Sequence, residues 1–399
     1  MSEHTLLLGY DLGNEKTQLA VFDSQTKEPK LVGQTQENPY AMYDTAILLD
    51  DQMPMTGFVD RIQKGQEILI DGKVADPVKI LAYYFRKTLM ATRQQYPSET
   101  ILQLVVTVKE ATPEFVQILY DALDLLGIGK DRACVLGHKQ TFLYYMMAQK
   151  KELWVNDVGV FDYDGNGLRY YQMQVDRRKK PMPVRVDEKN FDEAVRTIQQ
   201  DPTTQAVVLE NVVYRGIHKQ ILSSLYMTGS GFQGEWSDEL MRKLCVGRRL
   251  FQGDNLYVSG ACYAARELSQ KEGEKEYLIL DDDCVMNQWM TTFYTDAKEQ
   301  EVVIVQPGVP WYQVDEEIEV IPDGDTELDL KVCDIFTKEV RQFMIGMDPV
   351  IGKKDRHCRL KIRFRFKDAN TCIVTVKDEG FGEFFPTSNR IWEKTISLR

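Results

Sequence analysis

Residues 6–23, LLLGYDLGNEKTQLAVFD, place two short apolar runs, 6–8 and 17–22, on either side of the polar turn Gly13-Asn14-Glu15-Lys16. That pattern confines the chain to a tight two-stranded hairpin. A turn of this composition can aim several backbone N–H groups into one concavity suited to a phosphate, with Asp11 beside it at the end of the first strand. A second unit of the same kind lies at residues 157–173, DVGVFDYDGNGLRYYQM, where Asp162 takes the place of Asp11 and Gly165-Asn166-Gly167 forms the turn. Facing each other, two such hairpins could clamp one nucleotide phosphate tail, each offering a carboxylate to a bound metal ion. Taken singly, either one reads better as an ordinary structural ribbon.

At 399 residues the chain exceeds one ordinary core, so two or three domains are expected. A net charge of -12 argues against a nucleic-acid partner, because phosphate backbones would be repelled. The basic block Arg177-Arg178-Lys179-Lys180 precedes Pro181 and reads as a solvated hairpin turn. Seven cysteines without a C-x-x-C pair speak for a reducing cytoplasm, and against a disulfide framework or a zinc site. No signal peptide precedes Leu6 and no apolar run approaches membrane-spanning length. A cytoplasmic, soluble protein is expected.

Along the chain, residues 39–72 are poorly periodic, with short strands expected at 47–49 and 67–70. Asp76-Pro77 opens a helix with Ile80, Leu81, Tyr84, Phe85 and Leu89 on its apolar face. Residues 102–108 form a near-continuous apolar run, the mark of a strand buried on both faces. Thr112-Pro113 opens another helix that stops at Gly127, followed by a strand at 133–136 and a helix at 140–149. Beyond the second hairpin, helices are expected at 192–199 and 206–220, and a strand at 221–227 runs into Gly229-Ser230-Gly231. Ser237 caps a helix through Leu244, and Asp254 is the expected N-cap of a last one rich in small residues, Ser259, Gly260, Ala261, Ala264 and Ala265. Strand alternating with helix gives an α/β layout for residues 1–270. The charged stretch 270–276, QKEGEKE, marks a change, and a linker is placed at 271–281. From 282 to 399 the helical pattern disappears. Alternation at Leu360, Ile362, Phe364 and Phe366 and the hairpin Asp368-Ala369-Asn370 indicate an all-β sandwich.

In this order the parts resemble the DnaK-type heat-shock chaperones, members of the ATPase superfamily that includes actin and the sugar kinases. GYDLGNEKT is similar to the first phosphate loop and FDYDGNG to the second. LVVTVKEATPEFVQILYDALDLLGI resembles the strand and helix before the hinge segment, here VLGHKQTFLYYMMAQ. LYMTGSGF is similar to the turn bordering the nucleoside, GACYAARE to the closing helix, and FRFKDANTCIVTVKD to the end of the substrate-binding sandwich. The resemblance implies a two-lobed, actin-like nucleotide-binding fold followed by a β-sandwich, as a shortened member without a helical lid. It implies that Gly13, Asn14, Lys16, Gly165, Asn166 and Gly167 hold the phosphates of ATP or ADP. Asp11 and Asp162 would orient water on Mg²⁺, and Gly229, Ser230 and Gly231 would border the ribose and base. It also implies that Tyr277, Leu278, Ile279, Leu280 and Asp281 couple the two domains, although four consecutive apolar residues suit a first buried strand of the sandwich equally well.

The departures bear on chemistry. Asn14-Glu15 stand where the family has paired threonines, Asp164 where it has glycine, and His138 or Lys139 where it has a glutamate; no lysine in 57–65 matches its catalytic one. A carboxylate about 4 Å from a phosphate, at an effective dielectric near 20, costs about 4 kcal/mol, or about a thousandfold in affinity. The expected function is therefore nucleotide binding coupled to protein or peptide binding, with at most weak ATPase activity. A pseudo-ATPase scaffold is the alternative. A small-molecule kinase would need a substrate lobe that the sequence does not supply.

Overall fold

Gly9 and Tyr10 sit side by side near the end of the first strand, and their opposite faces show how the first half is layered. Tyr10 packs edge-on against Phe85, ring centroids 5.1 Å apart, while a Cβ on Gly9 would lie 2.5 Å from the backbone of Val258 and Cys262. Helices thus cover both sides of the strand, which is why its sequence is continuously apolar rather than alternating. The structure, a computed structural model, describes residues 5–48, 54–70, 72–233, 237–270, 276–281, 283–295, 298–322, 327–347 and 358–398. The expected linker residues 271–275 lie outside that set. The chain divides into two compact units, one from residues 1–175 with 184–275 and one from 176–183 with 276–399.

The first unit begins with β1 (Thr5–Leu12), β2 (Lys16–Asp23) and β3 (Glu28–Leu31). Short pieces follow: β4 (Tyr43–Asp44), β5 (Ala46–Ile47), β6 (Met55–Thr56), α1 (Phe58–Gln63), β7 (Leu69–Ile70) and β8 (Lys73–Val74). Then come α2 (Pro77–Gln95), β9 (Thr100–Val108), α3 (Pro113–Asp124), β10 (Ala133–Gly137) and α4 (His138–Met147). The order then repeats with β11 (Asp157–Tyr163), β12 (Leu168–Val175), β13 (Met182–Asn190), α5 (Asp192–Gln200), α6 (Gln205–Gly216), β14 (Leu222–Thr228), α7 (Ser237–Leu244), β15 (Arg249–Gln252) and α8 (Leu256–Leu268). One sheet runs β10-β9-β1-β2-β3 and the other β15-β14-β11-β12-β13. In each, three antiparallel strands form a meander whose first strand also pairs in parallel with the fourth, and the fourth with the fifth. Among the described residues, no helix is long and apolar enough to cross a membrane.

The small residues of α8 are used for close approach. A Cβ on Gly260 would fall 1.9 Å from the carbonyl oxygen of Thr141 in α4, closer than any real contact, so these two helices cross backbone against backbone. Asp254 is not the N-cap: Asn255 holds that position, and the Asp254 carboxylate accepts from Gly229 N–H (3.0 Å) and Gln233 Nε2 (3.1 Å) instead. Two donors outside the helix outcompete the orphan amides of its first turn.

The second unit contains β16 (Tyr277–Ile279), β17 (Asn287–Thr295), β18 (Lys298–Val305), β19 (Asp315–Val320), β20 (Glu327–Asp334), β21 (Val340–Gly346), β22 (Leu360–Asp368), β23 (Thr371–Asp378) and β24 (Ile391–Ser397). Antiparallel sheets β18-β17-β20-β21 and β19-β22-β23-β24 share one core. In that core Leu360, Ile362, Phe364 and Phe366 alternate inward and the Phe366 ring meets fully buried Trp289 edge-on at 5.4 Å. Leu278 and Leu280 bury against Ile335 within this unit. That part of the segment placed in the linker is therefore core, because consecutive apolar residues found a ready partner. Residues 176–183, the basic turn, also belong here, with Met182 N–H donating to Glu276 O at 2.9 Å.

Substituting Gly260→Ala should remove about 3 kcal/mol of stability or prevent folding, since neither backbone at the crossing can retreat; urea unfolding of parent and variant measures this. A second expectation concerns Asp378, which accepts from Cys358 Sγ (2.9 Å), Gly380 N (2.8 Å) and Ser388 N (2.8 Å). Burial pushes this carboxyl up, but these donors outweigh it and hold the pKa at about 2 against an ordinary 3.8. A lowered carboxyl stabilises the fold above its ordinary pKa and ceases to do so as pH falls through the folded value. Acid unfolding of Asp378→Asn should therefore lack that part of the parent's loss of stability between pH 4 and 2.

Candidate functional site

Both turns are built by their own backbone. Gly13 N–H donates to Lys16 O (3.0 Å), and a Cβ on Gly13 would stand 2.5 Å from that oxygen, so only glycine closes the first turn. In the second turn Asp164 Oδ1 accepts the N–H groups of Asn166 (2.9 Å) and Gly167 (2.8 Å), which are the donors a phosphate would use. Gly165 sits at φ +87 with open space around it. Asn166 Nδ2 donates to Glu15 Oε1 at 3.3 Å, so the turns do face each other. Asn14 and Lys16 point elsewhere: Asn14 Oδ1 accepts from Asp60 N–H in α1 (3.1 Å), and Lys16 pairs with exposed Asp44 at 2.5 Å.

Asp11 and Asp162 end the equivalent strands β1 and β11, and a side chain from α4 lies between them. His138 Nε2 is 2.9 Å from Asp11 Oδ1, and its Nδ1 is 3.9 Å from Asp162 Oδ2. The latter is an ion-pair distance, and Nδ1 has no hydrogen-bond partner. Tyr257 of α8 donates its hydroxyl to Asp162 Oδ2 (2.8 Å), and its ring stacks on the imidazole with centroids 3.7 Å apart and planes 11° from parallel. Burial pulls the imidazole pKa down, but the carboxylates of Asp11 and Asp162 outweigh it and raise the pKa to about 9, which favours the protonated ring at neutral pH. Burial, with Asp162 beside it, keeps Tyr257 protonated and hence a donor.

Further ion pairs surround this centre. Lys109, one residue past β9, places Nζ 2.6 Å from Asp164 Oδ2. Burial opposes the charge on both partners, yet their mutual attraction raises the ammonium pKa and lowers the carboxyl pKa. Asp164 is thus neutralised by a lysine, which the sequence reading did not find. Arg169 reaches Asp192 (2.5 Å), Glu188 (3.1 Å) and Glu110 (3.7 Å), and Lys139 reaches Glu188 (2.7 Å). Six carboxylates (Asp11, Glu110, Asp162, Asp164, Glu188, Asp192) thus lie within ion-pair distance of Lys109, His138, Lys139 or Arg169, and Glu15 accepts from Asn166 beside them.

The Gly229-Ser230-Gly231 turn packs on the end of β11. A Cβ on Gly229 would lie 2.3 Å from Tyr163 O and one on Gly231 2.2 Å from the Tyr163 ring, while Ser230 Oγ donates to Asp164 O at 3.3 Å. The close approach these glycines permit is to Tyr163. Tyr277 to Asp281 lie in the second unit. Lys109 and Tyr257 were missed by sequence reasoning. The usable signal for Lys109 was a charge directly after a strand that is buried over its last five residues and whose Thr107 pairs with Asp11.

Mg²⁺ requires oxygen ligands in near-octahedral array. Asp11 and Asp162 supply oxygens, but Asp11 Oδ1 is engaged by His138 Nε2 and Asp162 Oδ2 by the Tyr257 hydroxyl. Among the described residues no group of three or more His, Cys, Asp or Glu side chains is disposed to hold a metal ion.

Comparison with family models places this geometry. A model described as "Family of unknown function (DUF5716) C-terminal" matches residues 29–282, more than half of the chain. The chain belongs to the DUF5716 family. A second model, "Domain of unknown function (DUF8552)", matches residues 285–398, within the second unit. A search of the curated proteins finds no match. The family description carries no activity, so the site must be read from its own chemistry.

A histidine whose folded pKa is raised stabilises the fold fully below its ordinary 6.5 and ceases to do so as pH rises through the folded value of about 9. The stability difference between the parent and His138→Gln should therefore be largest below pH 6.5 and shrink as pH passes 9. Urea unfolding at pH 6, 8 and 10 checks it, and a pH-independent difference would mean that the imidazole is neutral.

Proposed function

We propose that this chain is a pseudo-ATPase: an actin-like, two-lobed fold that serves as an interaction scaffold, joined to a β-sandwich that binds protein segments. The repeated strand order, the helices α4 and α8 at equivalent places, and Asp11 and Asp162 at the ends of equivalent strands support the actin-like reading. They are also what a divergent relative of the DnaK-type chaperones would keep. The observation that carries the loss of catalysis is the His138 imidazolium between the two carboxylates. A polyanionic triphosphate entering this cleft would meet an excess of carboxylates. Each unneutralised contact at about 4 Å costs about 4 kcal/mol at an effective dielectric near 20.

Calorimetric titration of the full chain with ATP and ADP, each with Mg²⁺, and a phosphate-release assay test the proposal. The expected result is no saturable binding at micromolar concentrations and no phosphate release. The facing turns, with open space at Gly165, favour a second reading in which nucleotide binds and regulates the sandwich. Saturable ATP binding that disappears in Gly165→Val would support that reading and sink the pseudo-ATPase one.

A further inference from the structure

Away from the paired turns, the short ribbons β5–β6 and β7–β8 and the first turns of α2 enclose a cleft of about 640 Å³. Its floor is Ile47 and Ile80, both buried. Its walls are large apolar side chains that stand in solvent, Leu48 at 61% exposure, Val74 at 60% and Tyr83 at 53%. Apolar residues of this size scattered singly need no explanation, but converging on one concavity they mark an interaction site. Small-molecule sites bury most of their ligand, and walls this exposed cannot do so. An open concavity whose apolar lining comes from two ribbons and a helix can take alternate apolar side chains of an extended segment.

Charge defines the occupant further. Lys73 and Lys79 line the cleft, and neither makes an ion pair with a described residue. The aspartate in the lining, Asp76, is engaged as the cap of α2, accepting from Val78 N–H at 3.0 Å. In a chain of net charge -12, two ammonium groups that pair with no described carboxylate, beside an apolar floor, favour an acidic partner and repel a basic one. We propose that this cleft docks an extended peptide segment of a partner protein in which apolar or aromatic residues alternate with Asp or Glu.

The test is selection of a phage-displayed peptide library on the full chain, followed by fluorescence polarisation of the best-enriched peptide, synthesised with a fluorescein label. Enriched sequences should pair acidic with apolar residues. The double variant Lys73→Glu, Lys79→Glu should weaken binding about tenfold or more, and Val74→Glu should do the same, with melting temperatures close to that of the parent. Selection on the double variant should turn to basic peptides, a gain that simple unfolding cannot produce. No enrichment, basic peptides on the parent, or binding indifferent to all three substitutions would overturn the proposal. Because neither the turns nor His138 takes part, failure here leaves the ATP titration unaffected, and the reverse also holds.

Discussion

The first unit depends on a helix crossing with no room for a side chain. At Gly260 and Thr141 the backbones of α8 and α4 meet, and Gly9 lets α8 lie equally close on β1. The crossing point is three residues past His138 on one helix and three past Tyr257 on the other. One helical turn back from the crossing, these two side chains are therefore brought face to face, and they stack. The fold also supplies the acids, because β1 and β11 end beside the starts of those helices. Backbone packing thus sets the geometry of the candidate site, and the polar groups fill a framework fixed by glycine and alanine.

Within that framework the charges solve a burial problem. Two carboxylates brought together away from water repel each other, and a cation between them offsets that repulsion. A metal ion is one such cation and an imidazolium another. The imidazolium differs in being covalently part of the fold, with its position set by the Tyr257 ring and Asp11. Lys109 repeats the arrangement on a smaller scale, since it neutralises Asp164 while that carboxylate holds the second turn closed. Most of the acids that the sequence offers for ligand binding are already committed to internal partners.

The hairpins, the helix starting at Asp76-Pro77, the strand ending at Val108 and the sandwich strands around Phe364 were legible because each carries a local signal: a turn composition, a cap, or a period of two or of continuous burial. The facing of the two turns was legible from their repetition. What was not legible depends on groups distant in sequence. Asp254 looks like a cap until Gly229 and Gln233 compete for its oxygens, and Asn14 and Lys16 look free until Asp60 and Asp44 are placed beside them. His138 was visible as a departure from a pattern, but its charge follows from a contact spanning 127 residues. Tyr277 to Leu280 satisfied two descriptions at once, and only Ile335 shows where Leu278 and Leu280 are buried.

The two halves of the first unit share strand order, strand sense and helix placement, yet they contribute unlike groups at the centre. From α4 comes a cation at the first helical position, and from α8 a phenol at the second. A symmetric pair of carboxylates is therefore braced asymmetrically. Asp11 is bonded to the imidazole at 2.9 Å, whereas Asp162 takes the Tyr257 hydroxyl at 2.8 Å and stands 3.9 Å from the ring. A bound ligand would have to replace a hydrogen bond on each side and break a ring stack before gaining any contact of its own. The stack joins a side chain of α4 to one of α8, so the two halves of the unit meet in a contact that neither half could make alone.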